Sequence, residues 1–423
     1  MISYGFYRLK FGEYDRHTLQ LQRIDTINSI AQGGTYTAQD FGDQEVVVKE
    51  VLHPYIGYTV EGQKRDKNCV GDDCYSRIKL DWDKPFVKRS ADKLIVGVLG
   101  GSVAVGTIHG IEANYYQDKL KQLPEYKDKE IIVYNLAAGG FRQPQQLMIL
   151  NYYYYLGAEF DVIINLDGFN DVVIPITEYI NFKSHPSFPR NWGHRVSDTL
   201  SPELINLYVD KKGLQNEQVS SATFMTNPWS RNSPLSNLIW TIKHNRYGNK
   251  LSVLDQQIAS FSDSETDQHS YEKVGPDYVF SGWDNLYQYS VDLWANSSQL
   301  IHATVQAKGA RYFHFLQPNQ YVEGSKPIMP AEERAIAFVE KHGYGSVYKI
   351  AYPVIKNKIA WLRESNIPFY DLSNLYKDVK TAIYIDNCCH VNTQGSAMIV
   401  EKIVETIHLS NLNASSLTDT SIN

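Results

Sequence analysis

Five short apolar runs, each bounded by Gly, Asp, Asn or Pro and separated by stretches of helical length, constrain this chain more than any other feature of its sequence. They are Leu94–Leu99 (LIVGVL), Ile131–Leu136 (IIVYNL), Val162–Leu166 (VIINL), Arg311–Leu316 (RYFHFL) and Pro368–Leu372 (PFYDL). Runs this short and this apolar read as strands buried on both faces. Helical length is found at 103–122, 143–157, 285–308, 331–342, 346–364 and 393–408, and in the last of these Met398, Ile399, Ile403, Val404 and Ile407 fall on one stripe. Such alternation predicts an α/β fold: a parallel sheet of about five strands covered by helices on both faces, with its chemistry where the strands end.

Three stretches fall outside that rhythm. Residues 1–90 are polar and irregular and read as an N-terminal extension packed on the core. The core itself divides into 91–171 and 285–410, and the intervening 172–284 is rich in Asn, Ser, Pro, Trp and Tyr. That segment is too long for an ordinary connection and reads as an inserted subdomain or lid. The polar residues 411–423 read as a disordered tail.

Composition narrows the function classes. A chain of 423 residues, 43% hydrophobic, can bury a large core. The formal net charge of −6, with no Lys/Arg cluster, offers nothing to a phosphate backbone, so no nucleic-acid partner is expected. No apolar run approaches the roughly 20 residues that span a bilayer. The opening MISYGFYRLKFGEYDRH also lacks the short apolar stretch of a signal peptide. Of the four cysteines, Cys69 and Cys74 flank VGDD, whereas Cys388 and Cys389 are adjacent. Neither spacing makes a four-ligand zinc site, and no metal or cofactor is expected. A Cys69–Cys74 disulfide would belong to an oxidising compartment, and 30 Tyr, 7 Trp and 5 Met suit export. The expected location is extracytoplasmic, periplasmic or membrane-associated; the alternative is a cytoplasmic protein with unlinked thiols.

The first apolar run ends in VLGGSVAVG, which sets Ser102 between a strand and a helix. Free backbone N–H groups and a helix N-terminus at that point favour an anionic intermediate. Other uses of a Gly-rich turn fit poorly. A P-loop needs Gly-Lys-Ser/Thr, the spacing of Gly97, Gly100, Gly101 and Gly106 does not make G-x-G-x-x-G, and Ala104 stands where G-x-S-x-G needs its last glycine. After the second run, NLAAGGFRQPQQL brings Gly139 and Gly140; after the third, DGFND brings Asn170. A glycine N–H and an Asn amide are neutral oxyanion donors, and each is also an ordinary turn residue. Near the C-terminus, AIYIDNCCHVNTQG sets Asp386 and His390 in one loop before the last helix. A nucleophilic serine needs a base to take its proton, and the imidazole needs a carboxylate to fix its tautomer.

Taken in order, GGSVAVG, NLAAGGFRQPQQ, DGFND and DNCCHVN resemble the Ser, Gly, Asn and His blocks of the SGNH (GDSL-like) hydrolase superfamily, over roughly 94–175 and 310–408. HPYIGY and FLQPNQY resemble a bacterial branch of it. The resemblance implies a flavodoxin-like three-layer α/β/α fold, with Ser102 as nucleophile and His390 as base. It also implies an oxyanion hole made of the Ser102 N–H, the Gly140 N–H and the Asn170 side chain. Gly101 departs from the family's G-D-S, and the acid position of D-x-x-H falls on Asn387. Asp386 is therefore the expected orienting acid, with a backbone carbonyl as the alternative.

The implied function is a serine-dependent acyl-ester hydrolase working through an acyl-enzyme on O-acyl (acetyl) groups of a carbohydrate or a similar small ester. An O-acyltransferase modifying a bacterial surface polysaccharide and a non-catalytic glycan-binding module are the alternatives. Trp192, Trp229, Trp240 and Trp283, within or beside the inserted segment, suit either stacking on sugar rings or packing a lid.

Overall fold

The computed structural model describes residues 86–182, 184–192, 202–262, 280–338 and 343–419, together with 46–62 and parts of 2–36. Among these, β1 (Thr35–Tyr36), β2 (Val46–His53) and β3 (Gly57–Gly62) form a small antiparallel sheet. The central sheet comprises β4 (Lys93–Gly100), β5 (Glu130–Asn135), β6 (Val162–Asp167), β7 (Arg311–Leu316) and β8 (Phe369–Asp371), all parallel, in the order β5-β4-β6-β7-β8. Each of the five apolar runs coincides with one of these strands to within one residue at either end. Every residue of β6 is buried, which for side chains that alternate between faces requires cover on both.

That cover comes from two groups of helices. On one side α2 (Ser102–His109) and α3 (Tyr115–Lys121) each contact the last helix; on the other, α4 (Gln145–Tyr155), α5 (Asn170–Phe182), α9 (Trp283–Ala307) and α11 (Tyr344–Glu364) pack together, the short α10 (Ala331–Ala337) lying between the last two in sequence. The expected 103–122 helix is interrupted at Gly110, which closes α2 with an N–H to the Gly106 carbonyl.

Two boundaries and the packing of the N-terminus differ from expectation. The core continues past residue 171, because α5 places Val172, Val173 and Ile176 in the central cluster. Most of the described insertion is a helical hairpin, α6 (Pro202–Phe224) and α8 (Pro234–Ser262) joined by the short α7 (Pro228–Arg231), with α8 leaning on α5. At the N-terminus, α1 (Ile2–Phe11) packs on this hairpin rather than on the core: Tyr7 and Leu19 join Ala222, Met225, Leu238 and Trp240 in a separate apolar cluster. The last helix, α12 (Thr393–Asp419), runs through residues 411–419. These were expected as a disordered tail; once Ile403 and Ile407 anchor the helix on the sheet, each added residue gains a backbone bond at no nucleation cost.

The β2–β3 turn does reach the core. Ile56 and Tyr58 are buried in the central cluster, and the Tyr58 hydroxyl donates to the Gly139 carbonyl at 2.9 Å. Cys69 and Cys74 lie outside the described residues. Among those described, no helix is long and apolar enough to cross a membrane, and no group of three or more His, Cys, Asp or Glu is placed to hold a metal ion.

Candidate active site

In the order β5-β4-β6 the chain reverses direction of travel across the sheet between β4 and β6, which is where an open α/β sheet leaves a crevice at its strand ends. Ser102 follows β4 and Asn170 follows β6. The two strands come together tightly: Gly100 has φ +143, and a Cβ on it would stand 2.1 Å from the Leu166 carbonyl oxygen. One residue on, a Cβ at Gly101 would stand 2.3 Å from the Asn170 Nδ2. The glycine pair thus lets Ser102, first residue of α2, sit directly beside the Asn170 amide.

The glycine loop after β5 closes the other side. Gly140 is in the left-handed region with φ +74, and the Asn170 amide donates to the next carbonyl, Phe141, at 3.1 Å. Asn170 keeps a second amide N–H for another acceptor. Asp171 ties the two turns together, its carboxyl accepting from the Gln143 N–H at 2.6 Å and the Gly168 N–H at 3.0 Å. Burial, then the charge of Asp167, pushes Asp171 well above the usual carboxylate range. Burial acts on Asp167 too, but His314 at 2.7 Å and the Trp294 indole at 2.7 Å hold it below that range. Two neighbouring buried carboxyls are thus shifted in opposite directions, Asp171 upward and Asp167 downward. Arg190 lies against the same loop, since a Cβ on Gly140 would stand 2.5 Å from its Nε.

His390 arrives from the loop between β8 and α12. Its Nε2 is 2.7 Å from the Ser102 Oγ, and its Nδ1 is hydrogen-bonded to the Asp386 Oδ2. The second Asp386 oxygen accepts the backbone N–H groups of Cys388, Cys389 and His390 at 2.9, 3.1 and 3.2 Å. This curled loop explains how an acid four residues before the histidine reaches it: Asp386 caps its own turn with one oxygen and presents the other. Burial raises the carboxyl, yet His390 and the N–H donors together hold it below its ordinary range. The Asn387 carbonyl instead accepts from the Tyr321 hydroxyl.

Sequence reasoning singled out Ser102, Gly140, Asn170, Asp386 and His390, and the structure brings all five into the region where β4, β5 and β6 end. It missed the residues that hold them. Asn319 and Gln320 donate to the carbonyls of Cys388 and Asp386 at 3.3 and 3.0 Å, so the FLQPNQY segment is a brace for the His390 loop. Glu333, paired in the interior with Lys326 at 2.9 Å, accepts the Ile383 and Tyr384 N–H groups at the base of that loop. Arg142 and Glu178 form a buried pair at 3.0 Å beside the glycine loop. A carboxylate and a cation separated in sequence carry no mark that distinguishes a buried pair from a solvated one. Of the four tryptophans considered for sugar stacking, Trp240 is buried in the hairpin cluster under Arg23, whereas Trp229 and Trp283 are exposed.

No family model and no curated protein matches the chain.

Proposed function

We propose that this protein is a serine-dependent acyl-ester hydrolase of the SGNH type, acting on O-acyl groups of a carbohydrate or a similar small ester. One observation carries the reading: Ser102 Oγ, His390 and Asp386 form a continuous hydrogen-bonded line at the strand ends. Numbered within the core, the strand order 2-1-3-4-5 supports a flavodoxin-like sheet, and the Asn170 amide and the Phe141 carbonyl, which follows Gly140, both lie against Gly101, the residue before the serine. In the mechanism, His390 Nε2 takes the Ser102 proton as Oγ attacks the ester carbonyl. Negative charge gathers on the carbonyl oxygen, facing the Ser102 and Gly140 N–H groups and the Asn170 amide. Collapse expels the alcohol, which takes its proton from His390, and the acyl-enzyme is discharged by water or another hydroxyl by the same steps in reverse order. The Asp386 carboxylate stabilises the imidazolium at both stages.

The test is turnover of p-nitrophenyl acetate by the full chain, with peptide mass spectrometry after a fluorophosphonate probe. An adduct on Ser102 is expected. A folded protein that forms none would move the assignment to a non-catalytic module using the same crevice. Within the reading, Asn170→Ala is expected to lower kcat by roughly 100- to 1,000-fold with little change in KM, the mark of a donor that acts on charge developed in the transition state. A change confined to KM would instead make Asn170 a substrate-binding group.

A further inference from the structure

Two side chains in the His390 loop take no part in this mechanism. Cys388 and Cys389 stand between Asp386 and His390, with their sulfurs 3.1 Å apart. That is about 1 Å longer than a disulfide bond. Cys389 is 1% exposed and Cys388 is half-buried, so a reagent meets Cys388 first.

We propose that Cys388 and Cys389 are a redox-modification site, and that a disulfide between them disarms the Ser102–His390 pair by releasing Asp386. The proposal rests on the functional reading above. Its physical basis is the peptide that the two cysteines share. Neighbouring Cα atoms across a trans peptide are about 3.8 Å apart, less than the roughly 4.4–6.8 Å that disulfides usually span. Closing the ring therefore forces the enclosed Cys388–Cys389 peptide to twist. Both ends of that peptide are in use: its carbonyl accepts the Asn319 amide at 3.3 Å, and its N–H donates to the Asp386 Oδ1 at 3.1 Å. Twisting it breaks the brace and removes one of the three donors that aim the carboxylate at His390.

The oxidant is a small disulfide. The Cys388 thiolate attacks it, forming a mixed disulfide and expelling one thiol; the Cys389 thiolate then attacks the Cys388 sulfur and expels the second. Two protein thiols lose two electrons and two protons, and the external disulfide is reduced to two thiols. The Cys389 thiol and burial push the Cys388 thiol well above its ordinary range, so the first step is slow at neutral pH. Ring strain makes the bridge easy to reduce again.

The experiment uses the full chain with Cys69→Ser and Cys74→Ser, so that only this pair can bridge, exposed to glutathione disulfide at rising ratio to glutathione. Intact mass and peptide mapping read the bridge, the rate of fluorophosphonate labelling reads Ser102, and the His390 ring signals in NMR read the loop. The bridge is expected to slow labelling by roughly 10- to 100-fold, the scale of a catalytic group displaced by about 1 Å. It should also move the His390 signals, with both changes reversed by dithiothreitol and absent in Cys388→Ala. A bridge that leaves labelling and the His390 signals unchanged, or no bridge at any ratio, overturns the proposal. Failure of the fully reduced chain to label at all would count against the Ser102 assignment, and the bridge and its effect on His390 would still be read by mass and NMR.

Discussion

Ser102→Ala is expected to lower kcat for p-nitrophenyl acetate by about a millionfold and to abolish the fluorophosphonate adduct, while the protein stays folded. In the proposed mechanism Ser102 and His390 act as one device, which sets the size. Without the hydroxyl there is no covalent intermediate, and what survives is the oxyanion site acting on water, worth roughly 10³–10⁴ over the uncatalysed reaction. His390→Ala is expected to cost about as much, and the double variant no more than either, because removing one member already idles the other. Stability should change little. Ser102 is buried, but its hydroxyl is 2.7 Å from a partly exposed imidazole that water can solvate in its place. The loss is therefore within about 1 kcal/mol. Steady-state turnover with thermal melts of all three variants provides the check. Losses that multiply in the double variant, or Ser102→Ala turnover above about 1% of wild type, would remove Ser102 from the nucleophile role.

How much of this could be read from sequence depended on how each part is buried. The five core strands were legible because a parallel strand covered on both faces must be apolar along its whole length, and LIVGVL and VIINL are. Ser102 and Asn170 were legible because they sit where those runs stop. The α6–α8 hairpin was not: its long helices carry Asn, Ser, Lys and Gln around most of their circumference and pack along narrow contacts with α1, α5 and each other, so no wide apolar stripe marked them. In the sequence, residue type alone favours Asp386 over Asn387. What seats it is the grip of Asn319, Gln320 and Tyr321 on the loop carbonyls, contacts some 66 to 69 residues away in sequence. Nor could composition separate Asp167 from Asp171. Both look like turn carboxylates in LDGFND, and only burial beside His314 and Trp294 gives them opposite protonation tendencies.

The same loop sets the second large expectation, that Asp386→Asn lowers kcat by roughly 10⁴ without unfolding the protein, the scale seen when the acid of such a triad becomes an amide. Three backbone N–H groups converge on the Asp386 Oδ1, so an asparagine there must place its amide oxygen among them. Its NH₂ then faces the His390 Nδ1, where the carboxylate accepts a hydrogen bond now. Nδ1 becomes the acceptor, the ring proton moves to Nε2, and Nε2 can no longer take the proton of Ser102. The pH dependence carries the same signature. Because His390 and the loop donors hold the Asp386 carboxyl below its ordinary range, it remains ionised until well into acid, and its contribution to stability is lost only as pH falls through that lowered value. The carboxylate therefore stays ionised beside His390 until pH falls through that lowered value. Asp386→Asn takes away the anion that partners the imidazolium, so its residual kcat/KM should show an acid limb at lower pH than that of the wild type. An unmoved limb, together with a small loss of kcat, would mean that Asp386 serves only to cap the loop and that another group orients the base.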